Sequence, residues 1–356
     1  MTLQTFSNPA PFKLESGFVL PGYHLGYHVF GKFNADKSNV VWVFHALTAN
    51  SNPIDWWPGL VGHGHLIDPE RFFVVCVNMP GSCYGSLGPL SNNPITGLPY
   101  YHSFPFFTTR DMIRAYQPLK DFLGIEKIKF GIGGSMGGQQ LLEWAIEEPE
   151  LFDHIVPIAT NAFHSPWGRA FNASQRHSID LDPTWKQEDP EAGMNGMKVA
   201  RGIALISYRN QNTYNFYQAD EDLNSLGPFK SESYQTYQGE KLAARFNAFS
   251  YYCLSQSMDA HQVGRGRMGI SEALNTIKAK THLIGIRGDL LFTEKEQAFL
   301  AENIPGATLE MIPSLYGHDG FLLEFEAISR IVRDFLQKEK PLERILSSPF
   351  YKEDVS

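Results

Sequence analysis

Apolar residues in this chain come in short blocks set apart by polar stretches, and the blocks follow two periods. "NVVWVF" (39–44) and "FFVVCVN" (72–78) are compact, β-rich and almost wholly apolar, the pattern of strands covered on both faces. "KIKFGI" (127–132), "HIVPIAT" (154–160), "THLIGI" (281–286) and "TLEMI" (308–312) also read as strands. Between and after them, "TRDMIRAYQPLKDFLG" (109–124), "LLEWAIEEP" (141–149), "EKEQAFLAENI" (294–304) and "LEFEAISRIVRDFLQ" (323–337) read as helices. Repeated strand–helix units predict an α/β fold with a mostly parallel, doubly wound sheet.

The alternation stops between about 166 and 265. "WGRAFNASQRHSI", "MNGMKVARGIALISYRN" and "GEKLAARFNAFSYYCLSQSMDA" read there as helices joined by polar loops. The predicted organisation is a core formed by 1–165 and 266–356, with 166–265 inserted as a helical lid over the ligand end of the sheet.

Composition narrows the class. Of 356 residues, 43% are hydrophobic and 19% charged, enough for a sizeable core. The net charge of -8 and the lack of a Lys/Arg cluster argue against nucleic-acid binding. Cys76, Cys83 and Cys253 are odd in number, which fits a reducing compartment better than a disulfide framework. No signal-like start and no membrane-length apolar run is visible, so the expectation is a soluble, cytoplasmic protein without a membrane partner.

"GIGGSMGGQQ" (131–140) surrounds Ser135 with five glycines between a predicted strand and a predicted helix. Such a turn can impose unusual dihedrals and lets backbones approach closely. It is either a structural turn or, as G-x-S-x-G, the nucleophile elbow of an α/β hydrolase. A nucleophilic serine needs a base, and the base needs a carboxylate to orient it. In that fold they follow in the order serine, acid, histidine, at strand carboxyl ends. Asp289 in "THLIGIRGDLLF" and His318 in "TLEMIPSLYGHDGFL" meet that rule. The predicted triad is Ser135, His318 and Asp289, with the N–H groups of Met136 and Leu47 as the oxyanion hole. His45, which opens the Leu47 loop, reads as a packing residue.

Longer stretches carry more. "NMPGSCYGSLGPLSNNPITGLPY", "GGSMGGQQLLEWA", "YQTYQGEKLAARFNAFSYYCLSQSMDAHQVGRGR" and "YGHDGFLLE" together resemble the homoserine O-acetyltransferase family, a branch of the α/β-hydrolase fold, over about residues 15–340. The resemblance implies acyl transfer from acyl-CoA to an amino-acid hydroxyl, on the way to methionine, with acetyl-CoA as co-substrate and no cofactor. It places the nucleophile, acid and base on Ser135, Asp289 and His318. It also implies that Arg201, with Tyr208 seven residues on, holds the acceptor's carboxylate, and that Asp319 holds its ammonium. Seven residues is close to two helical turns, so both side chains share a face. From the residues alone, Arg201 reads as a surface residue and Tyr208 as packing. A homodimer is expected from the same resemblance and from the aromatic run "NAFSYYCL", more than one lid would bury.

The chain departs from the family pattern at Gln139, where Met is common, at Thr293, where Pro follows Phe, and at Gly202 and Leu205 beside the predicted acceptor group. These departures leave serine as acceptor, succinyl-CoA as donor, and plain esterase or thioesterase action as alternatives. "HGH" (63–65) suggests no metal site, because no third ligand is placed. "GRGR" (264–267) reads as the chain re-entering the core, with an anion contact to coenzyme A as the alternative.

Overall fold

The computed structural model describes residues 2–337. The remainder of the second core segment, 338–356, lies outside the described residues. The strands are β1 (Gln4–Asn8), β2 (Phe12–Lys13), β3 (Val19–Leu20), β4 (Tyr23–Phe30), β5 (Val40–Phe44), β6 (Phe73–Val77), β7 (Ile128–Gly134), β8 (Phe152–Ile158), β9 (Lys280–Arg287) and β10 (Thr308–Pro313). β2 and β3 pair only with each other. The other eight form one sheet in the order β1-β4-β6-β5-β7-β8-β9-β10. From β6 to β10 every neighbouring pair is parallel; β1 and β4 add an antiparallel edge that the apolar pattern did not announce.

Strand β5 shows why the sheet is covered on both faces. Val40, Trp42 and Phe44 enter one apolar core, and Val41 and Val43 enter the other. All five are buried. On the first face Trp42 meets Trp144 edge to face, with ring centroids 4.8 Å apart. A short helix α1 (Pro53–Trp56) follows β5. α2 (Thr109–Phe122) starts at a capping box between Thr108 and Asp111, and α3 (Met136–Glu147) follows β7 directly.

After β8 the chain runs through α4 (Pro166–Asp180), α5 (Met194–Tyr208), α6 (Gln211–Tyr217), α7 (Lys230–Ala243) and α8 (Ala248–Asp259). The stretch 239–260, expected as one helix, is two. Asn247 interrupts it, adopting extended backbone while its side chain accepts the Ser250 N–H and caps α8. α6 was not expected; it is short and capped by Asn210. A short helix α9 (Ile270–Leu274) precedes β9, and α10 (Glu294–Asn303) precedes β10. The last predicted helix, 323–337, begins two residues later, as α12 (Phe325–Gln337), and a separate short helix, α11 (Gly320–Leu323), precedes it.

The "GRGR" segment is taken up by carboxylates. Arg265 pairs with Glu15, Arg267 pairs with Glu143 and Glu147 on α3, and Arg110 on α2 bridges Glu15 and Glu143. The end of the helical segment is thereby tied to the core. The aromatic run of α8 is also consumed within the chain: Phe249 and Tyr251 are buried, and Trp185 packs against Phe249 and Tyr252. It therefore leaves no surplus apolar face of the kind expected. No helix among the described residues is long and apolar enough to cross a membrane.

Candidate active site

Ser135 occupies the single-residue turn between β7 and α3, with φ 56° and ψ −126°. This is a positive φ that only a well-determined surrounding sustains in a residue with a Cβ. The surroundings are explicit. The Ser135 N–H donates to the Ile158 carbonyl (2.9 Å), and the Ser135 carbonyl accepts the Thr160 hydroxyl (2.8 Å). Gly137 lies so close to the Phe44 and His45 carbonyls that a Cβ there would collide with backbone. Gly134 presses in the same way on the Phe321 ring. The glycines let three elements close around the serine.

The acid and base come from the next strand ends. Asp289 follows β9, and His318 sits in a 3-10 turn, Gly317–Asp319, after β10. His318 Nδ1 lies 2.7 Å from Asp289 Oδ2. The other Asp289 oxygen accepts the N–H groups of Leu291 (2.8 Å) and Phe292 (2.9 Å). A carboxylate so engaged fixes a proton on Nδ1 of the imidazole and leaves Nε2 as the free acceptor. Phe292, Phe321 and Tyr208 pack against the ring, with centroids 5.1, 5.2 and 5.8 Å away. Phe321 touches both His318 and Gly134, so one side chain joins the base to the serine turn. Its carbonyl in turn accepts the Trp57 indole N–H at 2.9 Å.

Met136 is the first residue of α3, and Leu47 follows β5. Neither N–H has a hydrogen-bond acceptor among the described residues. His45 is fully occupied elsewhere. Its Nδ1–H donates to the Ala46 carbonyl (2.9 Å), and its Nε2 accepts the Met79 N–H (3.1 Å). Burial pulls it down to about 4, so it is a neutral packing group.

Arg201 and Tyr208 share a face of α5: the guanidinium lies over the ring at 5.5 Å. Burial pushes the Tyr208 phenol up to about 12. Among the described residues no carboxylate pairs with Arg201, and its Nε is buried without an acceptor. Asp319 is buried beside His318, but it is already engaged. Arg209 Nε lies 2.9 Å from its Oδ2. Burial holds the Asp319 carboxyl above its ordinary range, against the pull of Arg209, then Arg201, then His318. Sequence reasoning missed Arg209; its position directly after Tyr208, at the end of α5, was the available signal.

Two departures from the family pattern meet in one hydrogen-bond chain. Gln139 donates to Asn161 Oδ1 (2.9 Å), and Asn161 donates to Glu296 Oε1 (3.0 Å). Glu296 Oε2 accepts the Thr293 N–H (2.7 Å), a bond that proline at 293 could not make. The helix behind Ser135 is thereby linked to the loop that carries Asp289. Gly202, expected beside the acceptor group, instead faces Gln235 on α7. His63 does acquire neighbours: its ligand atoms and those of Asp68 and Glu70 lie within 4.8 Å of one another. That corrects the expectation of no third ligand, although His65 is not part of the cluster and Asp68 already accepts the N–H groups of Gly64 and Glu70.

The sequence matches the alpha/beta hydrolase fold family over residues 39–325. It is 46% identical to a homoserine O-acetyltransferase of Cyclobacterium marinum over 335 residues, 94% of this chain and 95% of that one. The crystal structure of homoserine O-acetyltransferase from Bacillus anthracis superimposes with TM-score 0.86 at 23% identity, covering 94% of this chain and 97% of that one. Esterase E22 superimposes almost as well, with TM-score 0.84 at 23% identity over 94% and 100% of the two chains, so backbone likeness alone separates neither chemistry. The sequence relationship does separate them: this chain belongs to the homoserine O-acetyltransferase family of the alpha/beta hydrolase fold.

Proposed function

We propose that this chain transfers the acetyl group of acetyl-CoA to the hydroxyl of L-homoserine, a step toward methionine, through an acyl-Ser135 intermediate. His318 Nε2 takes the Ser135 proton as Oγ attacks the thioester carbonyl, and Asp289 stabilises the imidazolium. The N–H groups of Met136 and Leu47 receive the oxyanion. The C–S bond breaks, the thiolate takes the proton from His318, and coenzyme A departs. Homoserine then enters with its carboxylate on Arg201 and its ammonium on Asp319. His318 removes its hydroxyl proton, the new C–O bond forms, and the proton returns to Ser135 as the acyl–serine bond breaks. The acyl-enzyme favours an oriented hydroxyl over water by proximity.

The observation that carries this reading is Arg201, a cation on the helical segment with no carboxylate partner among the described residues. Its guanidinium lies over Tyr208, whose ring packs against His318, and hydrolysis of a plain ester needs no such cation. The test is product identification with acetyl-CoA or succinyl-CoA as donor and L-homoserine or L-serine as acceptor. O-Acetylhomoserine as the main product supports the reading; free acetate with no ester indicates an esterase. A succinyl ester or an O-acylserine would keep the mechanism and change the substrate.

The cellular site in this reading is the cytoplasm, and the acting form is a homodimer. Val199, Ile203 and Ile206 of α5 line one surface groove against α7, and the exposed Val199 and Ile206 offer an apolar face for the second copy. Light scattering at micromolar concentration should give twice the chain mass.

A further inference from the structure

The ammonium-binding role given to Asp319 raises a difficulty, because Asp319 already has a cation beside it. Arg209 Nε stands 2.9 Å from its Oδ2. The contact is weakly built. The buried Nε–H lies close to the carboxylate but is not aligned on it as a hydrogen bond. Charge holds it, rather than the two-point fork that makes arginine–carboxylate pairs hard to separate. Arg209 also has an aromatic neighbour in the same pose. Its guanidinium lies over the Tyr316 ring at 5.6 Å. Its side chain lines a cleft of about 430 Å³ with Tyr214, Tyr217, Tyr234 and Tyr316. An aromatic wall of this kind accepts a cation face-on.

The backbone around it is fixed. The Arg209 N–H caps α5 on the Leu205 carbonyl, and its own carbonyl carbon packs against Gly317. Any movement is therefore confined to the side chain. Arg209 alone makes an ion pair with Asp319; Arg201 pulls on the same carboxyl by charge without pairing with it. A zwitterionic acceptor supplies one charge of each sign: its carboxylate satisfies Arg201, and its ammonium competes with Arg209 for Asp319.

We infer that Arg209 is a resident counter-cation for Asp319, displaced toward Tyr316 when an amino-acid acceptor binds, and that it thereby sets how strongly the site selects acceptors carrying an ammonium. The inference rests on the acceptor site proposed above. An acceptor lacking the ammonium leaves Arg209 in place, and Asp319 stays paired. With Arg209 removed, that acceptor encloses an unpaired carboxylate, while the amino acid brings the missing charge. Arg209 therefore narrows the difference between the two.

The experiment uses p-nitrophenyl acetate to acylate the full-length protein, so that the acceptor step does not depend on the thioester. L-Homoserine and 4-hydroxybutanoate, the same chain without the ammonium, compete in equal concentration. Mass spectrometry reads the ratio of the two acetyl esters. Because both form on the same acyl-enzyme, partial misfolding of a variant cancels. In Arg209→Met the ratio should rise in favour of homoserine by about tenfold or more, the scale of one charge-assisted hydrogen bond. Arg209→Lys keeps a cation on the same stem and should hold the ratio near the parent's. An unchanged or lower ratio in Arg209→Met overturns the inference, as does an equal rise in both variants, and either leaves the transferase reading intact. No ester of either acceptor from the parent would remove that reading and the inference together.

Discussion

Asp289 holds His318 with one carboxylate oxygen, at 2.7 Å, and is itself held through the other by two backbone N–H groups. The carboxylate can therefore neither rotate nor exchange its partners without losing three bonds. Asp289→Asn preserves the shape but turns an amide NH2 toward His318 and forces the wrong tautomer. Turnover should fall by roughly 10⁴-fold, as it does where this substitution is made in other serine triads, with little change in thermal unfolding. A loss below about tenfold would mean that His318 does not act through its Nδ1 partner.

Ser135→Ala removes the acylated atom without disturbing the glycine packing around it. Turnover should fall by roughly 10⁴–10⁶-fold. Intact-mass measurement after exposure to acetyl-CoA alone should show an acetyl adduct on the parent and none on the variant. An adduct of equal yield on the variant would assign the nucleophile elsewhere.

Arg201→Ala separates acceptor from donor. The acceptor's carboxylate loses a charge-assisted bond, and the acceptor step should slow by roughly ten- to a hundredfold more than acylation of Ser135. Single-turnover measurements of the two half-reactions make the comparison. Equal losses would assign Arg201 to folding or to coenzyme A.

Acid should destabilise the fold before the carboxylates titrate. Three buried histidines are held neutral: His45 and His164 are pulled to about 4 and His261 to about 3, first of all by burial. His261 is saturated in that form, with Thr109 Oγ1 2.9 Å from Nδ1 and the Asn161 carbonyl 3.1 Å from Nε2. Their folded values lie below the unfolded value of 6.5, so between the two the unfolded chain binds more protons. Stability is then full above pH ~6.5 and lost as pH falls, by up to about 1.4 kcal/mol per pH unit for each histidine. Urea midpoints at pH 7, 6 and 5 should fall progressively. A constant midpoint would place these imidazoles in contact with water.

How much was legible follows from the range of the interactions involved. The central strands β5 and β6 were readable because both of their faces are covered, so their apolar runs are local and continuous. The edge strand β1 and its neighbour β4 were not, because "QTFSN" and "YHLGYHVF" mix apolar and polar positions without a clean period of two. The split of α8 from α7 was hidden for another reason: no Gly or Pro marks it, and α7 ends at Ala243 before Asn247 caps the start of α8 on Ser250.

The same division runs through the site. Glycine content and strand order are properties of the chain, so Ser135, Asp289 and His318 could be placed from sequence as residues at three strand ends. The sequence by itself determined that framework, because an elbow needs its glycines and parallel strands deliver their carboxyl ends to one edge. Only the tertiary structure decided the charges around Asp319. Arg209 and Asp319 are far apart in sequence and meet because α5 ends against the Gly317 turn. Gln139, Asn161, Glu296 and Thr293 meet because Asn161, just past β8, bridges the start of α3 to the start of α10. Ion pairs and buried hydrogen bonds act over a few ångströms, so which residues share them is fixed by packing and leaves no periodic trace in the chain.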